Sequence, residues 1–233
     1  MSLVVAIQVE SNDVILAADR RGTIGDPRSL VALDEGVSKL QKYGTQAVIG
    51  IVGTPAAVIT PIRLAQETIA ANPAAHPLTV LTGTLKAHYH EHFGLRPYIT
   101  EKPLVDARPV AIVLYADRRP HGQGLFQLPS PNNFTAMSDD RPYLMAGVSQ
   151  YALYLFQRLW KQNFTIEEAK YLAAFLICET SKLDPKVGPT PDILSLTEAG
   201  IQRSSEDEIA QIMVENTRRF DSFAESFRGR RPI

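Results

Sequence analysis

SLVVAIQVESNDVILAADRRGT, residues 2–23, decides the fold. Two runs rich in aliphatic and β-branched residues, SLVVAIQVE (2–10) and VILAAD (14–19), flank Ser11-Asn12-Asp13. Branched side chains suit a pleated strand, and short polar side chains that bond their own backbone mark a turn. The stretch therefore predicts an antiparallel hairpin opening directly from the start of the chain.

Outward from this hairpin, QAVIGIVG (46–53) reads as a strand ending in glycine. PAAVITPIRLAQETIAA then takes helical spacing after Pro55, a residue well suited to a first turn. A second helix is expected over about 79–93, followed by a proline-punctuated passage of loops. VAIVLYAD (110–117), GLFQLP (124–129) and YLMAGV (143–148) read as strands. In SQYALYLFQRLWKQ, Ala152, Leu155, Phe156, Leu159 and Trp160 recur at helical spacing. Thr165 and Glu168 form a capping-box pattern at the head of IEEAKYLAAFLICETSK. DILSLTEAGIQ reads as a strand and turn, SSEDEIAQIMVENTRRF as a last helix, and residues 226–233 as a basic, flexible tail.

Strands grouped between helix pairs argue against alternating βαβ units and for antiparallel sheets covered by helices, an α+β chain. No composition shift or flexible linker divides residues 1–233, so a single domain is expected. The chain carries 24 Lys+Arg against 25 Asp+Glu, a formal net charge of −1, which gives no reason to expect a nucleic-acid or anionic-membrane surface. Cys178 is the only cysteine, which rules out an internal disulfide and fits a reducing compartment. With neither a signal-peptide pattern nor a membrane-length apolar run, the expectation is a cytoplasmic protein.

Ser2 stands out by its address. Excision of Met1, common before a small second residue, would place hydroxyl and α-amine on one residue. An α-amine has an ordinary pKa of about 7.7 to 8.0, so near neutral pH part of it is free to act as a base. One terminal residue then carries both nucleophile and general base. The competing feature is HYHEH, in which His88 and His92 share a helix face and His90 lies between them. It is not the HExxH zinc pattern, and a solvated helix end is the plainer reading. GTIGDP lacks the lysine and following helix of a phosphate loop. No metal or cofactor is expected.

The segments SLVVAI, ILAADRRGT, SKL (38–40), VIGIVGTPAA, AGVSQYALYLF and DILSLTEAGI, in this order, resemble the proteasome β-type subunit family of N-terminal nucleophile (Ntn) hydrolases, as a prokaryotic proteasome-like homologue. The resemblance implies a four-layer αββα sandwich. It places Ser2 at the family's nucleophile, Asp19 at the acid that holds the active lysine, and Lys39, rather than Lys42, at that lysine. Gly53 falls at the oxyanion-hole glycine and Asp184 at a carboxylate supporting the terminal amine. Thr23 falls where the backbone pairs with extended substrate, and Ile51 and Pro55 near the specificity pocket. Taken singly, Asp19 beside Arg20 and Arg21 also reads as a surface ion-pair cluster, Lys39 as a solvated lysine and Gly53 as a strand end.

Two departures from the family are visible: serine replaces threonine as nucleophile, and Gly147 and Val187 occupy the positions of supporting serines, with Ser149 nearby. The implied partners are a peptide or protein substrate, further copies of the chain in a ring or ring-like homo-oligomer, and an ATP-dependent unfoldase. The implied activity is a serine or threonine-type peptidase or amidohydrolase. The alternatives are a catalytically silent structural subunit or binding module on the same fold, and a connectase-like peptide ligase.

Overall fold

The turn expected after the first strand closes through two backbone hydrogen bonds, Val9 N–H to Asp13 O and Asn12 N–H to Val9 O, each 2.9 Å. Asn12 takes the left-handed conformation, φ 61°, that asparagine tolerates better than most residues. This turn joins β1 (Leu3–Gln8) to β2 (Val14–Asp19) in antiparallel register, with Val4 opposite Ala18. The structure, a computed structural model, describes residues 2–24, 31–34, 36–94, 110–118, 124–138, 141–161 and 163–228.

The remaining strands are β3 (Gly22–Ile24), β4 (Val31–Asp34), β5 (Leu40–Tyr43), β6 (Ala47–Gly53), β7 (Ala111–Asp117), β8 (Leu125–Pro129), β9 (Tyr143–Gly147), β10 (Pro191–Thr197) and β11 (Gly200–Arg203). They form a five-stranded sheet ordered β11-β10-β2-β1-β9, a four-stranded sheet ordered β5-β6-β7-β8, and the small pair β3-β4. All pairings are antiparallel. The helices are α1 (Ile59–Ala71), α2 (Pro77–Tyr89), α3 (Gln150–Leu159), α4 (Ile166–Leu183) and α5 (Glu206–Arg228). The α+β reading therefore holds.

Every residue of β1 and β2 is buried, although an antiparallel sheet with one wet face would alternate. The reason is cover on both faces. Leu3, Val5 and Ile7 pack with Phe156 of α3, Leu176 of α4 and Ile209 of α5. Val4, Ala6 and Leu16 instead meet Leu40, Val48, Val52 and Leu114 of the second sheet. Gly50 belongs to that contact, since a Cβ there would lie 2.6 Å from Val4 Cγ1. The other face of the second sheet, with Ile49, Ile51 and Val113, packs on Ile62 of α1 and Leu81 and Leu85 of α2.

The capping box forms as expected: Glu168 N–H donates to Thr165 Oγ1 at 3.1 Å and Thr165 N–H to Glu168 Oε2 at 2.9 Å. Other expectations need correction. The second helix begins at Pro77, two residues early, because proline supplies its first turn, and its end at His90–Gly94 widens into a π-helical turn. β3, β4 and β5 were not anticipated; each is only three or four residues long. α5 runs through Arg228 into the stretch expected as a tail, while residues 229–233 and the proline-punctuated passage at 95–109 lie outside the described residues. Among the described residues no helix is long and apolar enough to cross a membrane.

Candidate active site

The hairpin register brings the end of β2 back to the start of β1, and Asp19 stands beside the first residues of the chain. Its carboxylate is fully buried. Oδ1 accepts the Leu3 N–H at 2.8 Å. Oδ2 accepts the Lys39 ammonium at 2.7 Å, the Gly188 N–H at 3.0 Å and the Arg21 N–H at 3.1 Å. Such a desolvated carboxylate is costly unless charge or hydrogen bonds answer it, and here a cation and three backbone donors do so. Lys39 is itself only 7% exposed.

Ser2 is held from both sides. The Asp19 carboxylate fixes the peptide N–H that follows it, and its own carbonyl accepts the Val148 N–H at 2.9 Å. Gly147, the partner of Leu3 across β9, has φ 92°, and a Cβ there would fall 1.7 Å from the Ser2 carbonyl oxygen. No side chain fits at that position, so the hydroxyl that the proteasome resemblance would place there is excluded by the backbone of Ser2 itself. Val187, the second such position, is fully buried among the residues between the five-stranded sheet and its helices. Ser149 donates its backbone N–H to the Gly147 carbonyl at 2.9 Å and stands at the head of α3, its hydroxyl making no capping hydrogen bond.

The same Cβ would lie 3.2 Å from Val52 Cγ1, so the end of β6 runs alongside Ser2. Gly53 follows Val52, is exposed, and has φ 97°. A Cβ on Gly53 would sit 2.1 Å from the Val110 carbonyl oxygen. Its identity is therefore fixed by the neighbouring strand as well as by its conformation. Ile51, two residues earlier, is buried and donates its N–H to the Lys39 carbonyl at 2.9 Å, tying β6 to the lysine. Pro55 is exposed at the head of a short 3₁₀ turn, Pro55–Ala57. Thr23 lies on β3, opposite Leu33 of β4.

Asp184 takes a different place from Asp19. It ends α4, and its Oδ1 accepts the Lys186 N–H at 2.8 Å, turning the loop that delivers Gly188 to Asp19. The structure thus brings Asp19 and Lys39 into contact beside Ser2, and links Ile51 and the Asp184 loop to that pair. Lys42 is exposed elsewhere on β5. The donors from Gly188 and Arg21 escaped sequence reasoning, because a backbone N–H leaves no residue-type signal.

The histidines form no comparable centre. The His88 and His92 rings lie 4.2 Å apart, and partial burial, then the proximity of His92, lowers the His88 pKa against the opposing pull of Glu91. Among the described residues no group of three or more His, Cys, Asp or Glu side chains is placed to hold a metal ion.

No family model and no curated protein matches the chain. Solved structures do match it. The ancestral β-subunit Anbu from Yersinia bercovieri superposes with a TM-score of 0.73 at 18% identity, covering 99% of each chain. A Gly−1 mutant of Anbu from Hyphomicrobium sp. strain MC1 gives 0.72 at 18% identity, over 100% of this chain and 99% of that one. The chain has the Anbu fold. Anbu is proteasome-like but distinct, and this overturns the reading of the chain as a proteasome β-type subunit homologue. The segments behind that reading all lie within the stretch that superposes on Anbu. At 18% identity the Anbu likeness speaks for the fold alone.

Proposed function

We propose that this chain is an N-terminal nucleophile hydrolase of peptide or other amide bonds, acting through Ser2 once Met1 is removed. The observation that carries the reading is the buried Asp19 carboxylate, which joins the backbone N–H next to Ser2 to the Lys39 ammonium. In this mechanism the free α-amine of Ser2 takes the proton from Oγ as Oγ attacks the substrate carbonyl. The amine then returns that proton to the departing nitrogen. An ester remains on Ser2, and water cleaves it by the same route in reverse roles. Lys39 lowers the cost of negative charge on Oγ, with Asp19 orienting it. The Gly53 N–H donates to the developing oxyanion, a contact whose loss typically costs about 10²- to 10³-fold in rate. Asp184 supports the amine through its loop, while Thr23 and Pro55 bind the extended peptide and Ile51, buried against α1 and α2, holds the strand that leads to Gly53.

The three packed interfaces support a four-layer αββα sandwich over one domain, residues 1–233. A cytoplasmic homo-oligomer served by an ATP-dependent unfoldase completes the reading, and sedimentation of the untagged protein tests the oligomer. The decisive experiment is intact mass for Met1 removal, followed by reaction with a peptide vinyl sulfone. An adduct on Ser2 that Ser2→Ala abolishes supports hydrolysis; a folded, Met1-free protein that forms none sinks it. If an added peptide amine intercepts the ester, the activity is ligation.

A second reading has its own support. Gly147, against the Ser2 carbonyl, and the buried Val187 carry no hydroxyl, as a catalytically silent structural subunit would allow.

A further inference from the structure

The edges of the two large sheets meet beside Lys39. β5 is the outer strand of one sheet and β11 of the other, and an outer strand leaves backbone groups without a ladder partner. The Lys39 carbonyl turns inward to the Ile51 N–H, so the Leu40 carbonyl, next along, turns out of the sheet. It accepts from Arg203 Nη2 at 2.8 Å and lies 3.1 Å from Ser38 Oγ. The other arm of the same guanidinium pairs with Asp192 Oδ2 and lies 3.3 Å from Ser38 Oγ. Ser38 Oγ in turn lies 3.2 Å from Asp192 Oδ2.

Asp192 is 1% exposed and sits opposite Ala18, one step along β2 from Asp19. Its Oδ1 has no hydrogen-bond partner among the described residues. Only the carboxylate side of this pair is buried; the Arg203 side chain is 39% exposed, so solvent screens the pair and it is a weak stabiliser by itself. What this pair supplies is a fixed anchor for the chain on both sides of Lys39, through Ser38 before it and the Leu40 carbonyl after it.

We propose that Arg203, held by Asp192, is a positioning residue for Lys39. Lysine carries its charge on a flexible four-carbon stem, so where the ammonium stands depends on how firmly its backbone is held. β6 holds that backbone from one side and Arg203 from the other. The planar guanidinium is needed because one group must face a carboxylate and a carbonyl at once, which a lysine ammonium cannot do in the same fork. The use of Lys39 in catalysis rests on the hydrolase reading; its placement does not.

The test is nitrogen-15 NMR of the lysine ammonium groups in the full-length, Met1-free protein, with the Lys39 signal assigned by its loss in Lys39→Arg. In Arg203→Lys and in the milder Ser38→Ala, the Lys39 ammonium protons should exchange at least about fivefold faster, the equivalent of one hydrogen bond. Unchanged exchange in folded Arg203→Lys overturns the proposal. If Arg203→Lys does not fold, Ser38→Ala decides it in the same way.

Vinyl sulfone trapping on the same samples separates the two readings. Faster ammonium exchange in the variants, with no Ser2 adduct even in the wild type, leaves the Arg203 anchor standing and removes the hydrolase. A wild-type adduct formed at the same rate in the variants, with unchanged ammonium exchange, removes the anchor and leaves the hydrolase.

Discussion

Two ion-pair sites with nearly the same contact distances behave differently in this molecule. Lys39 and Asp19 meet at 2.7 Å with side chains 8% and 0% exposed. On α5, Arg218 and Arg219 each meet Glu215 at 2.8 Å, but both arginine side chains are more than half exposed. Water answers the charges on α5 whether or not the pairs form, so those contacts replace hydration with little gain. At Asp19 water is excluded, and each partner depends on the other and on the backbone donors around it. Distance alone does not rank the two sites; the availability of another partner does.

The largest effect that would sharpen this contrast is asymmetric. Asp19→Ala takes the carboxylate away from the buried Lys39 ammonium and from the Leu3, Gly188 and Arg21 N–H groups together, and should cost about 3–5 kcal/mol by denaturant unfolding. Lys39→Met removes the cation, but the carboxylate keeps three N–H donors, so the loss should be smaller, about 1–3 kcal/mol. Equal losses would mean that the charge pair, and not the backbone network, governs the site.

Next in size is Gly147→Ala. The new methyl would have to displace the Ser2 carbonyl and occupy φ 92°, so a loss of about 1–3 kcal/mol is expected together with a weakened Ser2 reaction. A wild-type melting curve with normal trapping would show that the start of β1 yields readily, and that Ser2 is less firmly held than its contacts imply.

The capping box sits between the buried and the exposed extremes. Thr165→Ala should cost about 1 kcal/mol. Glu168 adds a pH dependence. The Lys161 ammonium and then the Thr165 N–H hold its carboxyl down at about 2. A depressed carboxylate stabilises the fold above its unfolded pKa and loses that effect as it is protonated. The difference in melting temperature between the wild type and Glu168→Gln should therefore be full at neutral pH and close as the pH falls towards about 2. A constant difference would assign the effect to packing.

How legible each feature was follows the same gradient. The capping box was readable because its partners lie three residues apart, and the first hairpin because its turn residues carry their own backbone preference. β5 was missed because LQKY has too little pattern to mark a strand, and its place is set by pairing with β6. Lys39 and Asp19 lie 20 residues apart and read singly as surface charges; only the family resemblance joined them. The family it named gives way to the Anbu fold, and the contact between Asp19 and Lys39 is set by how β2 and the residues before β5 pack. Arg203 was beyond reach, since its contacts depend on how two sheet edges meet.

The smallest predicted effect tests the comparison from its weak end. Arg218 and then Arg219 hold the Glu215 carboxyl down at about 2, a shift as large as that of Glu168. If a pKa shift alone measured stability, Glu215→Gln would be as damaging as removing Glu168. Glu215, however, spans no helix terminus and ties no backbone group, whereas Glu168 caps the Thr165 N–H. Its arginines return to water when it is removed. Thermal unfolding of Glu215→Gln at neutral pH should therefore superimpose on the wild type within the error of the melt, at low and at moderate salt. A clear loss at low salt that disappears as salt is added would show that α5 relies on its surface charges after all.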